Sequence, residues 1–291
     1  MLALLASTHQ AAFVNKLGTK ERARILHCLV EGTSMRATAR LTGVSINTVV
    51  KLLRDAGRAC SAYQDRTLRG LRLKRLQCDE IWSFVGCKER NATPDHKRAG
   101  LGDCWTWTAI DADTKLIPCW YVGTRDASAA YHFIHDLKDR LATRVQLTTD
   151  GHRAYLAAVE DAFGGDVDFA QLVKIYGATP EGPEVRYSPA QCMGARKALV
   201  TGSPDYRHVS TSFAERANLS MRMGMRRFTR LTNAFSKKVE QHENALALYF
   251  MFYNFARIHQ TLRVTPAMEA GVSDHVWSME EIVEMMDRDS N

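Results

Sequence analysis

The sequence contains no C-x-x-C pair. Its seven cysteines, Cys28, Cys60, Cys78, Cys87, Cys104, Cys119 and Cys192, are odd in number and widely spaced. That pattern excludes a zinc ribbon and a disulfide framework, and the residues read as small apolar side chains of a reduced, cytosolic protein. The N-terminus offers only the short apolar run Met1–Ala6 with no basic region before it, too little for a secretory signal. The most apolar stretch, Ala245–Phe255, is interrupted by Asn254 and falls far short of a membrane span. No internal repeat is present. A cytoplasmic protein is expected.

What is present is a 291-residue chain, 45% apolar and 24% charged, with composition suited to a buried core. Its charge is unevenly spread. Residues 1–76 hold 14 Lys/Arg and 4 Asp/Glu, a net +10, whereas the remaining 215 residues hold 25 and 28, a net −3. A basic block ahead of a mildly acidic body is the layout of a nucleic-acid-binding module joined to something else.

Within the basic block, Lys20–Val30 has apolar residues at helical spacing and is stopped by Gly32. Ser34 caps a short second helix reaching Leu41, Gly43 makes a turn, and Ser45 caps a third helix running to about Asp55 and closed by Gly57. Two helices joined by a short glycine turn predict a helix-turn-helix over residues 1–57. Its third helix would present Ser45, Asn47, Thr48 and Lys51 to base edges and phosphates. Residues 58–76, with six Arg/Lys, read as a basic linker.

From Gln77 the texture changes. Gln77–Gly86, Cys104–Asp111 and Lys115–Gly123 predict three successive strands, Ala127–Leu141 a helix, Arg144–Thr149 a fourth strand and Arg153–Phe163 a helix, with a fifth strand at Asp168–Tyr176. Gly177–Arg207, with four prolines, reads as a loop insertion. Thr211–Leu231 and Lys237–Ile258 read as helices, and residues 261–291 as a C-terminal tail with an acidic end. Strands in series followed by strand–helix alternation predict a mixed sheet covered by helices.

Three acids stand where chemistry could use them. Asp79 lies inside the first strand, Asp150 closes the fourth before a glycine turn, and Glu215 lies on a later helix. Three converging carboxylates could neutralise two divalent cations, the arrangement that clamps the attacking and leaving oxygens of a phosphodiester. Carboxylate oxygen suits Mg²⁺ or Mn²⁺, and the lack of Cys/His ligand clusters argues against zinc. Strand alternation points Glu80 to the face opposite Asp79, so only one of the two can join. Asp111 and Asp113 fit a hairpin turn, and His132 and His135 a surface helix face. The element order, with acids on strand one, strand four and a later helix, is that of a ribonuclease H-like α/β core, expected over residues 77–260.

The segments Asp79-Glu80-Ile81-Trp82-Ser83-Phe84-Val85-Gly86-Cys87-Lys88, Thr149-Asp150-Gly151 and Phe213-Ala214-Glu215-Arg216-Ala217-Asn218-Leu219, with Phe235–Glu240 after them, resemble the motifs of insertion-sequence-one (IS-one) family DDE transposases. The resemblance implies that Asp79, Asp150 and Glu215 are catalytic and metal-ligating, with two Mg²⁺ or Mn²⁺ per site. It also implies that Arg222, seven residues beyond Glu215, closes the D-D-E-K/R signature. Two departures stand out: the N-terminal zinc finger of part of that family is missing, and Asp150 and Glu215 are 65 residues apart, leaving Glu240 and Glu243 as reserve acids. Residues 207–238 carry eight Lys/Arg and one acid, and Arg222, Arg226, Arg227 and Arg230 are expected to follow substrate phosphates. The expected function is an insertion-sequence transposase acting on double-stranded DNA as a homodimer or larger, associated with the nucleoid. The alternative is a non-catalytic DNA-binding regulator derived from one.

Overall fold

Serine hydroxyls begin two of the first three helices. In the computed structural model, which describes residues 17–177, 192–229 and 232–289, these are α1 (Thr19–Val30), α2 (Met35–Thr42) and α3 (Ile46–Thr67). Ser34 Oγ accepts from the Ala37 N–H at 3.2 Å and Ser45 Oγ from the Thr48 N–H at 3.1 Å, each satisfying an orphan donor of a helix start. Gly43 ends α2 at φ 72°, where glycine lacks the steric penalty of a side chain. The run Met1–Ala6 lies outside the described residues.

The third helix does not stop at Gly57. It continues to Thr67, 22 residues in all, so much of the stretch expected as a linker is helix with Ala59, Cys60 and Gln64 buried. Gly57 is there for close approach instead: a Cβ would fall 2.4 Å from Asn244 Cβ. Gln64 Nε2 crosses the same contact to donate to the Ala247 carbonyl at 3.0 Å.

The chain then runs through β1 (Arg75–Val85), α4 (Pro94–Arg98), β2 (Gly102–Asp111), β3 (Trp120–Gly123), α5 (Ala127–Asp139), β4 (Gln146–Asp150), α6 (Ala154–Phe163), β5 (Asp168–Tyr176), β6 (Cys192–Thr201), α7 (Ser212–Gly224), α8 (Val239–Met251), α9 (Pro266–Glu269) and α10 (Met279–Asp289). The six strands form one mixed sheet, ordered β3-β2-β1-β4-β5-β6. β1–β2, β2–β3 and β5–β6 pair antiparallel, while β1–β4 and β4–β5 pair parallel. β3 is shorter than expected, beginning at Trp120. The expected loop insertion contributes β6, an exposed edge strand on β5; its residues 178–191 lie outside the described residues.

One apolar cluster joins α1, α3, α8 and α10 to the inner face residues of the sheet and α5–α6. The acidic end of the chain is part of it. Ile282, Val283, Met285 and Met286 are buried, and Asp287 pairs with the nearly buried Arg22 at 2.7 Å. α8 is buried along most of its length. No helix among the described residues is long and apolar enough to cross a membrane.

Candidate active site

Parallel pairing of β1 with β4 sets Cys78 opposite Thr149, which brings the next residues, Asp79 and Asp150, side by side where β4 ends. Asp150 Oδ1 accepts from the His152 N–H at 2.9 Å, closing the turn at Gly151. From β5, Gln171 Nε2 donates to Thr149 Oγ1 (3.2 Å) and to the carbonyls of Asp150 (2.9 Å) and His152 (3.2 Å). The loop that carries Asp150 is thus pinned from its neighbouring strand.

A side chain from β1 also positions α7. Gln77 Oε1 accepts from the Phe213 and Ala214 N–H groups at 2.8 and 3.2 Å, replacing the missing side-chain cap at Thr211. Two residues beyond Gln77 comes Asp79, and on α7 Glu215 lies two residues beyond Phe213 and Asn218 five. Asn218 Nδ2 donates to Asp79 Oδ2 at 2.8 Å, and the Glu80 N–H donates to Asp79 Oδ1. Burial, with the charges of Asp150 and Glu215 added, pushes the Asp79 carboxyl up to about 6.

Glu80 keeps to the face opposite Asp79, beside Tyr155 and Arg125, yet the expectation that only one of the pair can join the cluster fails. Ligand oxygens of Asp79, Glu80 and Asp150 all lie within 4.8 Å of one another, the one such acidic group among the described residues. The two faces of a strand are separated only while a neighbouring strand lies beside it. β4 ends at Asp150, so from there on nothing divides the Glu80 side from the Asp79 side. Burial, then the nearby Asp150 charge, pushes Glu80 up to about 7. Its Oε2 meets Arg125 Nε and Nη2, both at 3.3 Å. Arg125 Nη2 also lies 3.6 Å from Asp150 Oδ2, and the guanidinium sits 4.9 Å over the Trp105 ring.

Glu215 is not in that group. Its Oε1 is 2.7 Å from Lys174 Nζ and accepts from Thr211 Oγ1 at 2.6 Å. Against the effect of partial burial, these partners hold its carboxyl below the usual range. Its charge still reaches Asp79. The reserve acids are elsewhere on α8: Glu240 pairs with Arg58 at 2.6 Å, and burial raises Glu243.

Of the residues expected to meet DNA, Asn47 and Lys51 are exposed on the first turns of α3, Lys51 pairing with Asp55 at 2.6 Å. Ser45 and Thr48 hydroxyls bond each other at 2.9 Å as part of the cap. Arg226 is exposed and Arg222 half-buried. Arg227 turns inward, its Nε donating to Ser236 Oγ at 2.7 Å, and burial lowers its pKa to about 10. Arg230 lies outside the described residues.

The duller expectations hold. Asp111 is a turn acid accepting from the Lys74, Arg75, Asp113 and Thr114 N–H groups. Asp113 pairs with Arg75. His135 pairs with Asp161 at 2.8 Å and His132 stacks on Tyr121. Sequence reasoning missed Arg125, Lys174 and Asn218; only Asn218, three residues beyond Glu215 and so on its helical face, left a signal.

Fold and site together define a mixed α/β protein with a central parallel strand pair that ends in clustered carboxylates. No protein-family model matches the chain, and no curated protein does. Among solved structures it is similar to a pre-cleavage Mos1 transpososome, at TM-score 0.29 and 9% identity, covering 94% of this chain and 78% of that one. It is also similar to the Mos1 strand transfer complex, at TM-score 0.24 and 12% identity, covering 80% and 77%. At these scores neither likeness establishes a shared fold.

Proposed function

We propose that the chain is a DDE-type DNA transposase that binds element ends and performs strand cleavage and strand transfer. The observation that carries this reading is the pair Asp79 and Asp150, brought together by adjacent parallel strands with α7 laid along β1 so that the Glu215 charge reaches Asp79. The strand order 3-2-1-4-5 with its directions supports the ribonuclease H-like expectation.

The donor set is carboxylate oxygen throughout, as hard divalent cations require. Asp79, Asp150 and Glu215 would hold Mg²⁺ or Mn²⁺, two ions per site, whose charge would stabilise the attacking and leaving phosphodiester oxygens. The chain's own residues orient the rest: Gln171 keeps Asp150 at the sheet rim, and Gln77 aligns α7. The exposed Asn47 and Lys51 at the start of α3 suit base-edge and phosphate contact as a helix-turn-helix makes it, and Arg222 and Arg226 suit backbone phosphates. Joining two ends requires two sites, hence a homodimer or larger.

A second reading, a non-catalytic DNA-binding regulator, is favoured by one feature: Glu215 is engaged by Lys174 and Thr211 rather than by the acid cluster. Nicking of duplexes carrying the inverted repeats that flank the coding sequence separates the two. The transposase nicks only with Mg²⁺ or Mn²⁺, and Asp150→Asn loses about a thousand-fold in rate while still binding DNA. Metal-independent binding without nicking establishes the regulator, and normal cleavage by Asp150→Asn removes the site assignment.

A further inference from the structure

We propose that Glu80 is a direct ligand of the divalent cation, a further carboxylate that enters the site from the far face of β1. This deepens the reading of the acid cluster as a cation site and rests on it.

The Glu80 side chain is 1% exposed. Its Oε1 is buried with no hydrogen-bond partner, and its carboxylate lies in the group whose ligand oxygens are within 4.8 Å of one another. Asp111 shows what a structural buried acid looks like in this protein. It is 1% exposed, and both of its oxygens accept hydrogen bonds, Oδ1 from two backbone N–H groups and Oδ2 from two more and the Thr114 hydroxyl. A carboxylate taken out of water is costly unless its oxygens are engaged, and although the Tyr155 hydroxyl lies beside Glu80, Oε1 makes no close hydrogen bond. Its Oε2 has only the 3.3 Å contacts to Arg125, long for a charge-assisted pair.

Arg125 touches Glu80 Oε2 and Asp150 Oδ2 at once. A single positive group therefore already bridges the two carboxylates from opposite faces of the sheet. A cation with oxygens at about 2.1 Å spans ligand pairs up to about 4.2 Å apart, so oxygens within 4.8 Å need to close by only a few tenths of an ångström. Strand geometry permits it because β4 has ended at Asp150.

The test uses the full chain without DNA, with free Mn²⁺ followed by electron paramagnetic resonance. Glu80→Gln is expected to weaken Mn²⁺ binding by about ten-fold or more. Glu80→Cys is expected to bind Cd²⁺ with a thiolate–cadmium ultraviolet absorption band that wild type lacks, since soft sulfur prefers the softer metal. Mn²⁺ affinity within about two-fold of wild type in Glu80→Gln overturns the proposal. So does loss of Mn²⁺ binding in Glu80→Gln without the cadmium band in Glu80→Cys, which would mark a charge effect only. A chain that binds Mn²⁺ through Glu80 and never nicks DNA supports this ligand and removes the transposase reading alone.

Discussion

The two faces of β1 treat their polar residues differently. On one, Gln77 caps α7, Asp79 accepts from Asn218, and Ser83 reaches His242, which in turn meets Ser236. Each group is used to fasten a helix to the sheet. On the other face Glu80 lies against the Tyr155 hydroxyl, but neither Glu80 Oε1 nor that hydroxyl makes a close hydrogen bond. Satisfied polar groups in a core specify how elements pack, whereas an unsatisfied buried one lowers stability and persists where something else uses it. The first face fastens helices to the sheet; the second leaves a buried carboxylate oxygen without a close partner.

The largest expected effect tests the fastened face. His242 is fully buried, hydrogen-bonded to Ser83 and Ser236, with Arg227 facing it and Phe228 against its ring. Burial first, and then the Arg227 charge, depress its pKa to about 3. The unfolded chain takes up that proton near pH 6.5, so stability falls as pH drops from about 6.5 towards 3, by about 1.4 kcal/mol per unit. Asp79 and Glu80 are raised and slope the other way as pH falls from 7. Urea unfolding of wild type and His242→Gln therefore isolates the histidine: their difference should shrink by about 3 kcal/mol between pH 7 and pH 4. A constant difference would mean that the imidazole is not held neutral.

Next in size is a sign reversal on the other face. Glu80→Gln removes a buried charge whose Oε1 is unpartnered, and without divalent cation it should stabilise the protein by about 1–3 kcal/mol. Thermal melts should show a Tm higher by several degrees and a smaller rise on adding Mn²⁺ than in wild type. A lower Tm would make Glu80 a fastener like its neighbours.

How legible this was in the sequence follows from what each signal measures. Caps and turns are local, so Ser34, Gly43 and Ser45 mark helix boundaries that the structure keeps. Gly57 misled because the same residue type serves a helix stop and a close helix crossing, and only the distant Asn244 tells which. β6 was hidden because an exposed edge strand need not alternate apolar and polar residues. The apolar period of α10 is plain in Ile282, Val283, Met285 and Met286 but was outweighed by the acids between them. The adjacency of Asp79 and Asp150 could be anticipated from element order, whereas the arrival of Glu80 depends on where a partner strand stops, and that of Arg125 on a loop with no periodicity.

A smaller effect should come from the cap that joins β1 to α7. Gln77→Ala leaves the Phe213 and Ala214 N–H groups without their acceptor and should cost about 1–2 kcal/mol in urea unfolding. A proportionally greater loss of nicking than of stability would show that the cap's value lies in holding Glu215 near Asp79.

The smallest effect belongs to Asn218→Ala. It deletes the donor to Asp79 Oδ2, a bond to a charged group worth about 1.5–3 kcal/mol. It also deletes Asn218 Oδ1, which is buried with no partner and so costs free energy in the native state. The two opposing terms should leave a net loss of about 1 kcal/mol or less by urea unfolding. Asp79 still accepts from the Glu80 N–H, so the carboxylate is not stranded as Asp111 would be on losing several donors at once. A loss above about 2 kcal/mol would place Asp79 with the structural acids, and the fastened face of β1 would then depend on that single amide.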